Sequence, residues 1–126
     1  MNIKPLFFCL TLALSVSSTI HAQDLSNAGR TMAQIIIELN HVPKDEQRAT
    51  LEKIAGSSSL TAAEKVIVAS MLNINHKVQF DDKKALLGVI TSPGASPSER
   101  SLAGALYRFN HQPNDKDVAI ISQLLK

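Results

Sequence analysis

From Ser26 onward the apolar positions fall into a stripe that comes back twice. Met32, Ile36 and Leu39 are spaced as one face of an α-helix, and Ile67, Met71 and Ile74, then Leu102, Leu106 and Phe109, repeat that spacing. The pattern predicts helices over 26–40, 61–75 and 96–110. Start signals agree. Thr61 with Glu64, and Ser96 with Glu99, form Ser/Thr-x-x-Glu capping boxes, and Pro97 stands where a first helical residue loses nothing by lacking an N–H. Asp24 and Ser26 are the candidate caps of the first copy.

Between these helices lies a second apolar periodicity, predicting helices over 45–55, 81–90 and 115–125. Asp45 and Glu46, Asp81 and Asp82, and Asp115 and Asp117 put negative charge where a helix dipole is positive. The buried stripes are expected from Leu51, Ile54 and Ala55, from Leu86, Leu87, Val89 and Ile90, and from Val118, Ile121, Leu124 and Leu125. One extra residue near Phe80 is expected to shift the middle copy's register. Gly56-Ser57-Ser58-Ser59 and Ser92-Pro93-Gly94-Ala95 break the second helices and return the chain.

The two periodicities repeat together every 35 residues, and the dipeptide Asn-His marks the period at Asn40-His41, Asn75-His76 and Asn110-His111. Arg30, Lys65 and Arg100 align at the same period. The units are about 26–60, 61–95 and 96–126. The fold expected is all-α: three helix-turn-helix hairpins, six helices in all, stacked so that neighbours bury one another's faces. The middle copy's Val66–Leu72 is apolar nearly all round, as suits a helix covered on several sides. In period and hairpin layout this resembles the tetratricopeptide-type repeats over the whole chain after the leader. The resemblance implies a short right-handed solenoid with a concave face that binds a peptide or protein segment.

Residues 1–22 read as a leader rather than as part of the fold. Lys4 supplies a positive start, Leu6–Val16 an apolar run too short to span a bilayer, and Ile20-His21-Ala22 a cleavage region with the cut near Ala22. The expected localisation is periplasmic or secreted, with no stable membrane insertion. Cys9, the single cysteine, lies inside the apolar run, so residues 23–126 form one domain without a disulfide or a thiol nucleophile. With Lys4 set aside, twelve basic and eleven acidic side chains remain, spread without blocks, which argues against a nucleic-acid footprint.

The chemistry-bearing candidates are few. Nucleophile, zinc-protease and phosphate-loop motifs are absent from the sequence, so no enzyme activity and no cofactor are expected. Asn40, His41, Asn75, His76, Asn110 and His111 read first as a structural ladder ending the helices, with each Asn taking a left-handed conformation and each His bonding a free carbonyl. A shared metal is the competing reading. Equivalent residues on stacked helices stand about 8–10 Å apart, whereas an ion needs each ligand nitrogen within about 2.1 Å, so a row of histidines without a metal is expected. A pH response of the three imidazoles is a third reading.

Candidate partner-binding residues are the basic row Arg30, Lys65 and Arg100, the groove-lining candidate Tyr107, and Ile120 on a terminal helix more apolar than an end repeat should be. That helix either folds back over the core or leaves Ala119, Ile120 or their neighbours exposed to pair with another chain, and a homodimer through this end is expected. The function expected is an exported interaction module holding another protein or peptide, of the adaptor, chaperone, pilotin-like or immunity type. The alternative is a stress or metal-handling protein working through His41, His76 and His111.

Overall fold

A computed structural model describes residues 25–126; the expected leader, its cleavage site and Cys9 lie outside these. The described chain is all-α, with α1 (Asn27–Glu38), α2 (Asp45–Ala55), α3 (Ala62–Leu72), α4 (Phe80–Ile90), α5 (Pro97–Tyr107) and α6 (Asp115–Leu124). No helix among the described residues is long and apolar enough to cross a membrane.

Helix starts keep the 35-residue period in both series, so the middle copy carries no extra residue. Phe80 is the first residue of α4, aligned with Asp45 and Asp115, and the N-cap is Gln79. Its side chain is 74% exposed, with the Lys84 ammonium 5.3 Å from the ring centre. An aromatic at an exposed N-terminal position thus mimicked an insertion. Leu87, expected in the core, is also exposed, and the second helices each centre on one fully buried apolar residue: Leu51, Leu86 and Ile121.

The first helices stop earlier than their pattern suggests, at Glu38, Leu72 and Tyr107. Leu39, Ile74 and Phe109 remain buried outside the helix, their N–H groups donating to the carbonyls of Ile36, Met71 and Leu106. The apolar stripe therefore outlasts the helix by a residue or two. The Asn-His pairs follow these tightened turns rather than ending the helices themselves.

Consecutive hairpins pack side by side, as in a small helical solenoid, and the first and third also meet. Helices α1, α3 and α5 all touch one another, while α2 lies against α1 and α3, α4 against α3 and α5, and α6 against α5 and α1. Three inner helices are thus ringed by three outer ones about a pseudo-threefold axis. A terminal repeat that would need a polar outer face here covers its apolar face with the first repeat. The terminal helix folds back against α1 and α5, while its Ile120 stays 38% exposed. Arg30 Nη1 on α1 donates to the Leu125 carbonyl at 3.1 Å and ties this closure.

The aligned sets Met32/Ile67/Leu102, Ile36/Met71/Leu106 and Leu39/Ile74/Phe109 all belong to one buried cluster, none more than 2% exposed. At the N-terminal end of the inner helices the caps link the copies. Ser26 Oγ donates to Glu64 Oε2 at 2.7 Å, and Thr61 Oγ1 donates to Glu99 Oε2. Burial pushes the Glu99 carboxyl up, but the Thr61 hydroxyl and the amide and hydroxyl of Ser96 together hold it below its ordinary value. The third link is missing because Gly29 stands where the other copies have glutamate. These residues, with Ser96, line a cavity of about 110 Å³ at that end of the axis.

In the second and third copies the turn between the helices of the hairpin is braced by a pair at equivalent positions, while in the first the corresponding Gln47 leaves its buried Nε2 without a partner among the described residues. In the middle copy Asn73 Nδ2 donates to Asp82 at 3.2 Å. In the third, Arg108 donates twice to the buried Asp117, at 3.0 and 2.6 Å. The Arg108 hydrogen bonds hold the Asp117 carboxyl below its ordinary value, against burial, with help from the charge of Arg108 and from Asn114.

Ile67, fully buried in the central helix, is expected to cost about 2–5 kcal/mol when changed to Ala, against less than about 0.5 kcal/mol for the exposed Phe80→Ala; urea unfolding of the two variants checks this. Asp117→Asn should cost about 1–2 kcal/mol near neutral pH, below the usual range for a charged pair because Arg108 is half exposed. Since the native carboxyl is depressed, its contribution is present above the ordinary carboxylate range and lost as pH falls through the native value. The stability gap between wild type and Asp117→Asn should therefore close below about pH 4, read from urea midpoints taken at successive pH values.

Candidate metal centre

At the other end of the axis, beyond the inner helices, the three Asn-His corners come together. His41, His76 and His111 are the residues with positive φ among those described, at 65°, 65° and 66°. This is the left-handed region, which costs a side-chain-bearing residue of order 1–2 kcal/mol. The expectation that asparagine would take that conformation is corrected: the Asn precedes the strained residue. Across His41, the Val42 N–H donates back to the Asn40 carbonyl at 2.7 Å.

A closed circuit of backbone hydrogen bonds holds the strain. His41 N–H donates to the His111 carbonyl at 2.5 Å, His76 N–H to the His41 carbonyl at 2.7 Å, and His111 N–H to the His76 carbonyl at 2.6 Å. Each copy thus satisfies the next, and the third satisfies the first. The local sequence reaches this point because each inner helix ends two or three residues before the corner and a buried apolar residue, Leu39, Ile74 or Phe109, anchors the chain just before it. The copies are in register, so all three corners arrive at the same height on the axis.

Above that circuit the three imidazoles form an exposed cluster. Ring centres are 5.1 Å apart for His41 with His76 and for His41 with His111, and 5.3 Å for His76 with His111. The row with about 8–10 Å between members is not what forms; closure turns the row into a triangle. One nitrogen from each ring can be chosen so that all three lie within 4.8 Å of one another. Three nitrogens bound to a tetrahedral ion at about 2.05 Å stand about 3.4 Å apart. The rings are exposed, so the side-chain torsions are the freedom available for closing that gap.

The asparagines orient the rings. Asn40 Oδ1 lies 2.6 Å from His41 Nδ1, and Asn110 Oδ1 lies 2.8 Å from His111 Nδ1. An amide oxygen only accepts, so these contacts place the proton on Nδ1 and leave Nε2 with its lone pair free. Outer partners of this kind fix the tautomer of metal-binding histidines.

The expected partner-binding residues lie elsewhere. Arg30 and Arg100 use their guanidinium groups on the carbonyls of Leu125 and Ser92, leaving Lys65 as the exposed member of that row. All three sit in the first turn of their helices, at the opposite end from the histidines. Tyr107 is half-buried, with the Lys83 ammonium 5.5 Å from its ring centre, and Ile120 is 38% exposed on α6. Pattern reading named the histidines but missed their convergence. The signal for it was the apolar last helix, which pointed to an array with no free end.

Compared with known proteins, the chain matches no family model, and no curated protein or solved structure matches it either.

If the histidines serve a ligand rather than the fold, changing His76 to Gly, which relieves the left-handed backbone, should leave stability unchanged or raise it by up to about 1 kcal/mol. A loss of 2 kcal/mol or more in urea unfolding, on the order of a fully buried side chain, would instead make the imidazole a structural part.

Proposed function

We propose that this chain is an exported protein that binds a late first-row divalent metal ion through His41, His76 and His111. One observation carries the reading. Three copies of the same titratable residue are each held in a costly left-handed conformation, and the result is three imidazoles with centres 5.1–5.3 Å apart. Backbone strain of this kind gathers where a side chain must be aimed. A glycine or asparagine would satisfy the corner at lower cost.

Imidazole nitrogen suits Zn²⁺, Cu²⁺ and Ni²⁺, and a site with only nitrogen ligands favours Cu²⁺ by the usual affinity order. Binding rather than catalysis is the proposed role, since the sequence carries no recognisable nucleophile and base motif. Export is supported by the leader pattern of residues 1–22. The reading as an interaction module keeps one supporting feature of its own. Phe80 and Leu87, 74% and 46% exposed, lie seven residues apart on one side of α4 and offer a protein partner an apolar strip.

Calorimetric titration of the purified chain with Zn²⁺, Cu²⁺ and Ni²⁺ tests the proposal. Binding is expected to weaken on acidification, because protons compete for the same nitrogens. Asn110→Ala should weaken it about 10–100-fold, as loss of an outer partner does, and His76→Gly by more than that. Equal heats for wild type and His76→Gly would defeat the reading.

A further inference from the structure

Resting on the metal-binding reading, we propose that the ion is shared by two copies of this chain docked crown to crown along the pseudo-threefold axis. Three imidazoles are an incomplete ligand set. They leave one position open on a four-coordinate ion and three on a six-coordinate one. The metal-competent cluster consists of His41, His76 and His111, with no carboxylate joining them among the described residues. The remaining ligands therefore come from outside this group.

Geometry decides from which side. The closed circuit of backbone hydrogen bonds between the same three residues lies on the protein side of the rings. The inner-helix ends lie beneath it. All three histidines are exposed, so the open face of a bound ion points away from the molecule along the axis. Solvent fills such positions on an isolated chain, and the side chains of a second molecule are the protein ligands that can replace it there.

A second crown supplies them in the right arrangement. Three nitrogens related by a threefold axis are one face of an octahedron. A second copy facing the first and turned by half a step about the axis provides the opposite face. The contact is isologous, each crown meeting its own kind, so it closes as a dimer and does not propagate. The rim permits the approach. Val42, Lys77 and Gln112, the residues that follow the three histidines, are exposed and bring a single charge per copy. The direct protein contact at such a pole is small, so the ion holds the pair and the dimer exists only with it. This places self-association at the histidine pole rather than on the terminal helix around Ile120.

Light scattering coupled to size exclusion, run on the purified chain in EDTA and then with half an equivalent of NiCl₂, tests this. The expected result is a monomer mass in EDTA, a doubled mass with Ni²⁺ and reversion on chelation, with calorimetry giving one ion per two chains. His76→Gly, checked for its fold by circular dichroism, should stay monomeric with Ni²⁺. A monomer mass with one Ni²⁺ bound per chain overturns the shared ion and leaves the metal site standing. No Ni²⁺ binding overturns the shared ion, and no binding of Zn²⁺, Cu²⁺ or Ni²⁺ overturns the metal site as well. A dimer that persists in EDTA or in His76→Gly overturns the crown as the contact and points to another surface.

Discussion

The ends of a short helical array have nowhere to hide their apolar faces, and in this chain they hide them in each other. Every hairpin covers one side of the next, which leaves the first and the last with one bare side apiece. With three hairpins the two bare sides can meet, and α1 receives both α5 and α6. Burial then no longer depends on a polar capping repeat. Inner helices α1, α3 and α5 become equivalent by position, and nine aligned side chains, six on them and three just past their ends, fall into one core.

Closure has different consequences at the two ends of the axis. At the helix starts, hydroxyl and carboxylate groups reach from copy to copy, but Gly29 interrupts the pattern and the chain of links stays open. At the helix ends the main chain itself makes the links, and the circuit is complete. Backbone groups carry it, so it tolerates differences between the copies in the residues around it. Val42, Lys77 and Gln112 are unlike one another although they follow equivalent corners. The Asn-His pairs are the part that does not vary.

That constancy is what gives the crown its chemical meaning. Left-handed backbone at a residue with a β-carbon persists only where surrounding structure over-determines it, and here a ring of main-chain hydrogen bonds and a buried anchor before each corner do so. The strain is balanced within the fold while the side chains remain exposed. A purely architectural corner would be met at lower cost by glycine. Imidazoles gathered on an axis, two of them within hydrogen-bond distance of a neighbouring amide oxygen, are the feature on which the proposed metal binding rests.

The sequence by itself determined the helices, their order and the caps of α3 and α5. Periodic apolar residues and Ser/Thr-x-x-Glu boxes act over a few residues, and local hydrogen bonding and face burial suffice to specify them. It determined the equivalence of Met32, Ile67 and Leu102, and of the sets that follow, because a repeated environment demands a repeated side chain. It misplaced what depends on only one or two residues, such as Phe80 at an exposed helix start and Leu87 on the outer face of α4. Whether the array stays open or closes was decided by the tertiary structure alone, since it turns on the summed angle between successive hairpins, which no single residue encodes. That one global quantity turned three histidines expected in a row into a triangle, and placed the left-handed turn on His rather than on Asn.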